Sequence, residues 1–96
     1  MADNAIEVVF SFAGTHGAIQ AEQCLLDAAL PVRVMPLPSA IRAGCGICLR
    51  LPLEQQATAL ALLQAAHISP QSIHIRSVDG VASAYIEWKE DECLGT

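Results

Sequence analysis

The sequence predicts one α+β domain in which two helices cover one face of an antiparallel sheet. Its 96 residues suffice for one domain and not for two. Hydrophobic residues make up 53% of the chain and charged residues only 16%, which is ample apolar material for a compact core. Runs of β-branched and aromatic residues alternate with two Ala- and Leu-rich runs of helical spacing, and this alternation predicts the α+β class.

The first part of the chain is predicted to form a strand, a helix and a short second strand. The run Ile6 to Phe12 is β-branched and aromatic, as in a buried strand. From His16 or Gly17 to Ala29, polar residues recur at helical spacing opposite a stripe of small and apolar residues, with Thr15 as the predicted N-cap. Pro31 cannot continue the helix, so residues 32–35 are expected to form the second strand.

The middle of the chain is predicted to contain a shaped loop, a third strand and a second helix. The loop Pro36 to Gly46 has two prolines and two glycines, with one turn of helix expected from Ser39 to Ala43. Ile47 to Leu51 follows as a strand, and Pro52 opens a helix that reaches Ala66. This helix is apolar on more than one side, which predicts that one side meets a second copy in a homodimer.

The last part of the chain predicts a hairpin and a tail. Ser72 to Val78 alternates with period two, Asp79-Gly80 is a turn signal, and Val81 to Trp88 forms the returning strand. The order β-α-β-β-α-β with an added C-terminal strand is the ferredoxin-like split arrangement. Residues 1–88 are expected to form this domain and residues 89–96 a flexible tail.

The charge balance excludes several classes of partner. Five Lys+Arg against ten Asp+Glu give a net charge of −5, and aromatic residues are only 4% of the chain. A chain of this kind lacks the clustered basic and aromatic surface that nucleic acids or anionic membranes require. No signal peptide or membrane span is predicted, so we expect a cytoplasmic protein whose four cysteines stay reduced. These are Cys24, Cys45, Cys48 and Cys93.

The segment Gly44-Cys45-Gly46 is the strongest candidate site in the sequence. Glycines on both sides of a cysteine leave its thiol exposed and let backbone N–H groups converge on the sulfur, which stabilises a thiolate or persulfide. Arg42, three residues earlier, would add positive charge. The alternative is a purely structural turn, in which two glycines adopt positive φ angles around a small buried thiol.

Four stretches together resemble a family of small bacterial proteins described as selenium/sulfur carrier-like. The family shows a strand, a helix with an Ala-x-x-x-Glu pattern, a Pro-x-Pro segment and a Cys-Gly pair that enters the next strand. The matching stretches, within Glu7 to Leu51, are Val8-Val9-Phe10, Ala18 to Glu22, Pro36-Leu37-Pro38 and Cys45-Gly46-Ile47.

The resemblance implies that Cys45 is the carrier cysteine and Gly46 its partner in the motif. Two stretches depart from the family pattern. Ser39 stands where the family has Arg, and Arg42-Ala43-Gly44 stands where it has small Ser residues. A displaced arginine could take over anion binding by this loop.

Other cysteine chemistry stays open at this stage. Cys45 and Cys48 form a Cys-x-x-Cys, the spacing of a redox dithiol or half a zinc site, although alternation places Cys48 with Arg50 on the opposite side of the strand from Ile47. Cys48 and Cys93 are candidate resolving thiols for a sulfur adduct. Cys24 is expected to be a boundary residue, and no metal site is predicted.

These observations lead to one main hypothesis and two alternatives. The main hypothesis is a cytoplasmic carrier that holds sulfur or selenium on Cys45 and passes it from a donor protein to an acceptor protein, without a cofactor. Gly44, Gly46, Arg42, Ser39 and His16 would line its site, His16 from the turn before the first helix. The alternatives are a Cys-x-x-Cys redox or metal-binding module, and a non-catalytic ligand-sensing or protein-interaction domain.

Overall fold

The computed structural model describes residues 6–79 and 82–88 and confirms the predicted α+β class. Five strands form one sheet in the order β2-β3-β1-β4-β5, with every neighbouring pair antiparallel. The elements are β1 (Ile6–Ser11), α1 (Thr15–Asp27), β2 (Arg33–Pro36), β3 (Ile47–Pro52), α2 (Gln56–Ala65), β4 (Ser72–Asp79) and β5 (Ala82–Trp88). One 3₁₀ turn, Leu53–Gln55, precedes α2. The turn residue Gly80 and the predicted tail 89–96, with Cys93, lie outside the described residues.

Both helices pack on one face of the sheet, because the strands place their largest apolar side chains there. Val8 and Phe10 of β1 are fully buried on this face beside Leu49 of β3. The helices contribute small residues and leucines to the same cluster: Ala18, Ala21 and Leu25 from α1, and Ala59 and Leu63 from α2. Successive strand residues alternate between faces, so this pattern fixes the register of the sheet.

The opposite face of the sheet is covered in part by the loop between β2 and β3. Ile41 of this loop is buried with Val9 and Cys48 in a second, smaller cluster. No helical turn forms from Ser39 to Ala43, contrary to the prediction. The loop instead makes a tight turn in which the N–H of Ile41 donates to the carbonyl of Pro38 (3.0 Å).

The first helix differs from the prediction at both of its ends. The N-cap of α1 is Gly14, without a side-chain cap bond, and Thr15 is the first helical residue rather than the cap. The helix ends at Asp27 and not at Ala29, because Ala29 adopts a left-handed φ of 63°. The second helix ends in the same way, with His67 at a φ of 61°.

The leucines of α2 do not form an exposed apolar side. Leu60 and Leu62, which project in different directions, both pack against the main core cluster, as does Leu53 of the preceding turn. The homodimer therefore stays a prediction without support from this helix. Among the described residues, no helix has the length and apolar character needed to cross a membrane.

Candidate functional site

Cys45 lies at the end of the sheet where β1 leads into α1. Its backbone N–H donates to the carbonyl of Phe12 (3.2 Å), and the N–H of Leu37 donates to the carbonyl of Gly46 (2.9 Å). These two hydrogen bonds fix both ends of the β2–β3 loop at this end of the sheet. The side chain belongs to the main core cluster, and the residue is only 2% exposed. The expectation of an exposed thiol is therefore wrong for this state of the protein.

Gly44 allows the loop to approach β1 closely enough to bury Cys45. A Cβ atom at Gly44 would lie 2.1 Å from the carbonyl oxygen of Ala13, which is an impossible contact. The N–H of Gly44 donates to Oε1 of Gln71 (3.1 Å). Gly46 has open space around it, and neither glycine lies in the left-handed region. The two positive φ angles of the structural-turn alternative are therefore absent at these glycines, whereas the buried thiol that it expected is found.

The sulfur of Cys45 lies beside the first turn of α1. Its Sγ atom is 3.7 Å from Oγ1 of Thr15, and the N–H of Ile47 donates to the sulfur at 3.5 Å. A neutral thiol donates to the Thr15 hydroxyl, whereas a sulfur anion would accept from it, because a hydroxyl can rotate to do either. The positive end of the helix dipole also favours an anion at this place.

Cys48 lies on the other side of the sheet from Cys45, as the alternation of β3 predicts. It is fully buried in the second cluster, with its Sγ 3.9 Å from the carbonyl oxygen of Pro36. Burial raises the pKa of the Cys48 thiol from 9.0 to about 11. The neighbouring Cys45 raises this pKa further, and the positive charge of Arg50 lowers it by a smaller amount. Both thiols are free. A dithiol reaction would require one of them to leave its cluster.

The remaining predicted site residues do not gather around the sulfur. Ser39, Arg42 and Gly46 are exposed, and Arg42 forms no ion pair within the described residues. His16 is exposed beside Thr15 in the first turn of α1. Cys24 is half-buried between the helices, with its Sγ 3.8 Å from the carbonyl oxygen of Leu62. Cys93 lies outside the described residues, and within them no three His, Cys, Asp or Glu side chains converge as metal ligands would.

Sequence reasoning missed two residues of this site. Gln71, which holds Gly44, precedes β4, and its own N–H donates to the carbonyl of Ser11 at the end of β1 (2.7 Å). The sequence predicts Thr15 as a helix cap and does not predict its hydroxyl as a partner of the Cys45 sulfur. Strand order could have indicated Gln71, because β4 runs antiparallel to β1 and therefore begins where β1 ends.

A comparison with known protein families agrees with the resemblance based on the Cys45-Gly46 motif. The chain belongs to the family described as "Putative Se/S carrier protein-like", whose model matches residues 7–75. The predicted resemblance is thereby confirmed. A carrier family implies donor and acceptor partners in general.

A curated relative provides a second comparison. The chain is 40% identical over 45 residues to "Uncharacterized protein YtiA" of Escherichia coli (strain K12), an alignment covering 47% of this chain and 53% of the relative. The chain thus spans about half the length of the curated relative that it matches. No solved structure matches the chain.

Proposed function

We propose that this protein is a cytoplasmic carrier that holds sulfur or selenium on Cys45, as a persulfide or a selenosulfide. The observation that carries the proposal is the position of the Cys45 sulfur, between the Thr15 hydroxyl and the N–H of Ile47 at the N-terminus of α1. Family membership supplies the class of cargo. The unpaired state of Cys24, Cys45 and Cys48 is consistent with a reducing compartment.

Loading on Cys45 is a thiolate exchange without net oxidation. The Cys45 thiolate attacks the outer sulfur of a donor persulfide, R–S–SH, and a new S–S bond forms on Cys45. The S–S bond of the donor breaks, and its electron pair leaves with the donor thiolate. Selenium transfer from R–S–SeH follows the same course, with an S–Se bond forming and breaking.

In unloading, Cys45 is the leaving group rather than the attacking thiolate. An acceptor thiolate attacks the outer chalcogen of the Cys45 adduct, and the electron pair returns to the Cys45 sulfur. The Thr15 hydroxyl and the N–H of Ile47 stabilise the Cys45 thiolate that leaves in this step. The same two donors stabilise the attacking thiolate during loading.

The burial of Cys45 suits a carrier that must not lose its cargo. A persulfide at an exposed position exchanges with any small thiol in solution, whereas Cys45 is 2% exposed under the Gly44 loop. Loading therefore requires the loop to open, and its closure separates the adduct from bulk thiols. Cys48 is a poor competitor for cargo, because its raised pKa keeps it a thiol at neutral pH.

The test is peptide-mapped mass spectrometry of the reduced chain after exposure to glutathione persulfide and, in a parallel arm, to a glutathione selenosulfide. We expect a one-sulfur or one-selenium adduct concentrated on Cys45. Cys45→Ser should abolish the adduct, and the matched variants Cys24→Ser and Cys48→Ser should keep it. Equal loss in Cys45→Ser and Cys24→Ser would overturn the proposal, and a Cys45–Cys48 disulfide without adduct would favour a redox module.

A further inference from the structure

The strand arginines of this acidic protein all lie on one face of the sheet. Strand pairing places Arg50 opposite both Val9 and Arg33, and Arg76 opposite Glu7. Directly paired residues share a face, so Arg33, Arg50 and Arg76 lie on the side away from the helices. The fourth arginine, Arg42, is in the loop that packs on this face through Ile41.

The helical layer has the opposite charge. The segments α1, Leu53–Gln55 and α2 carry Glu22, Asp27 and Glu54, and they contain no Lys or Arg. The sheet face carries two carboxylates, Glu7 and Glu87, and three arginines. His74 on this face is neutral near pH 7, because burial lowers its pKa. Among the described residues, positive charge is therefore in excess on the sheet face and negative charge on the helical layer.

The arginines are held in place by a network that leaves charge unneutralised. The Glu7 carboxylate accepts from Arg50 (3.0 Å) and from Arg76, and Arg76 Nε donates to the Tyr85 hydroxyl (3.1 Å). One carboxylate thus serves two guanidinium groups. Arg33 is exposed directly opposite Arg50, and like charges in such a pair repel each other. An anionic group between Arg33 and Arg50 would relieve this repulsion.

We infer that this arginine face binds an acidic segment of a partner protein. Carboxylates of such a segment match the fork geometry of arginine, and arginine with tyrosine is the composition typical of protein interfaces. A polynucleotide is less suited, because Tyr85 is the one aromatic side chain described on this face, whereas single strands bind by stacking several bases on aromatic rings. A second copy that docked with the same face would bring arginine against arginine. The surface adds a docking site to the proposed carrier and does not use Cys45.

The experiment is an NMR titration of the isotope-labelled full chain with oligoglutamate, and in a parallel arm with polyuridylate. We expect oligoglutamate to shift the signals of β2, β3, β1 and β4 on the arginine face, with affinity that falls as salt is added. Arg33→Gln should weaken binding by about two- to fivefold, the size expected for one exposed ion pair. Gln20→Glu is the matched control, because it changes the net charge equally from an exposed position on α1.

Three results would overturn the inference. Signal shifts confined to other surfaces would place the binding elsewhere. Equal weakening by Arg33→Gln and Gln20→Glu would show an effect of net charge alone. Tighter binding of polyuridylate on the same face would identify a polynucleotide site. Cys45→Ser should bind oligoglutamate normally, so this surface and the carrier chemistry can fail independently.

Discussion

Gly44 is the residue on which the burial of the candidate thiol depends, since its missing side chain lets the loop touch Ala13. A methyl group there would meet the Ala13 carbonyl oxygen at 2.1 Å, and rigid backbone cannot yield as a flexible side chain can. We expect Gly44→Ala to lower the free energy of unfolding by about 1–3 kcal/mol, the usual cost of overpacking, as measured by urea denaturation.

Gly46 provides the matched control for this substitution. Nothing lies within 4 Å of a Cβ at Gly46, and its φ is not left-handed, so Gly46→Ala should change the free energy of unfolding by no more than about 0.5 kcal/mol. Equal destabilisation by the two variants would mean that the close contact at Ala13 does not hold the loop.

The raised pKa of the Cys48 thiol predicts a pH dependence of stability. Burial raises its pKa in the folded chain to about 11, so the folded state favours the neutral thiol. In the unfolded chain the thiol ionises near its ordinary pKa of 9.0. The contribution of Cys48 to stability is therefore complete below pH 9.0 and is lost as the pH rises towards about 11.

The check is urea denaturation at several pH values across this range, for the natural chain and for Cys48→Ala. The variant loses packing at every pH, but its stability should decline less steeply above pH 9.0 than that of the natural chain. Parallel declines would assign the alkaline loss of stability to other groups, and the proposed inertness of Cys48 would lose its basis.

At the same scale, the sequence indicated the candidate cysteine but not its surroundings. Adjacent glycines suggest an exposed thiol, yet Gly44 serves to bring the loop against β1, which buries the sulfur. The hydrogen bond from Gly44 to Gln71 joins residues 27 positions apart, and no local pattern encodes such a contact. The opposite placement of Cys48, in contrast, follows from period-two alternation and was predictable.

At the scale of the elements, the two helices end in the same C-terminal motif. The residue types at these two helix ends do not indicate it. In α1 the N–H of Ala29 donates to Leu26 and that of Leu30 to Leu25, which is the Schellman pattern. In α2 the N–H groups of His67 and Ile68 do the same with Gln64 and Leu63. The residue at the left-handed position is Ala29 or His67, where glycine is usual, so sequence rules for helix ends overlooked both.

This motif predicts that glycine in place of Ala29 or His67 stabilises the folded protein. A non-glycine residue in the left-handed region carries a steric cost, which glycine removes. We expect Ala29→Gly and His67→Gly each to raise the free energy of unfolding by about 1 kcal/mol in urea denaturation. The matched control is Ala28→Gly, because Ala28 has a φ of −91° and gains nothing from glycine.

Ala28→Gly should instead lower stability by about 0.5–1 kcal/mol, because glycine loses more backbone freedom on folding. Stabilisation by this control, or destabilisation by Ala29→Gly, would contradict the steric explanation.

The strand bounds, unlike the helix ends, agree with the prediction. Their β-branched and aromatic runs predicted all five to within about two residues, since burial on a pleated sheet selects those residue types.

At the scale of the whole molecule, the fold brings three separate segments together around one buried sulfur. Phe12 and Thr15 come from the connection of β1 to α1, Cys45 from the start of β3, and Gln71 from the start of β4. The central position of β1, between β3 and β4, makes this meeting possible. The carrier function that we propose requires the β2–β3 loop to open, and we expect this opening to be local rather than global unfolding.

Gln71 predicts how readily that loop opens. Its hydrogen bond to Gly44 is exposed, and loss of one such bond costs about 0.5–1.5 kcal/mol, so Gln71→Ala should increase the open population by roughly two- to tenfold. The alkylation rate of Cys45 by iodoacetamide, followed by peptide-mapped mass spectrometry, should rise by the same factor. Cys24 is the internal control, because it lies between the helices and its rate should stay unchanged.

The urea dependence of the same rate distinguishes local opening from global unfolding. Local opening exposes little surface, so the alkylation rate of Cys45 should rise only weakly with urea below the unfolding transition. If access required global unfolding, the rates for Cys45 and Cys48 would rise together, with the full urea sensitivity of the unfolding equilibrium. In that case Gln71→Ala would act only through overall stability, and the buried thiol could not exchange cargo in the folded protein.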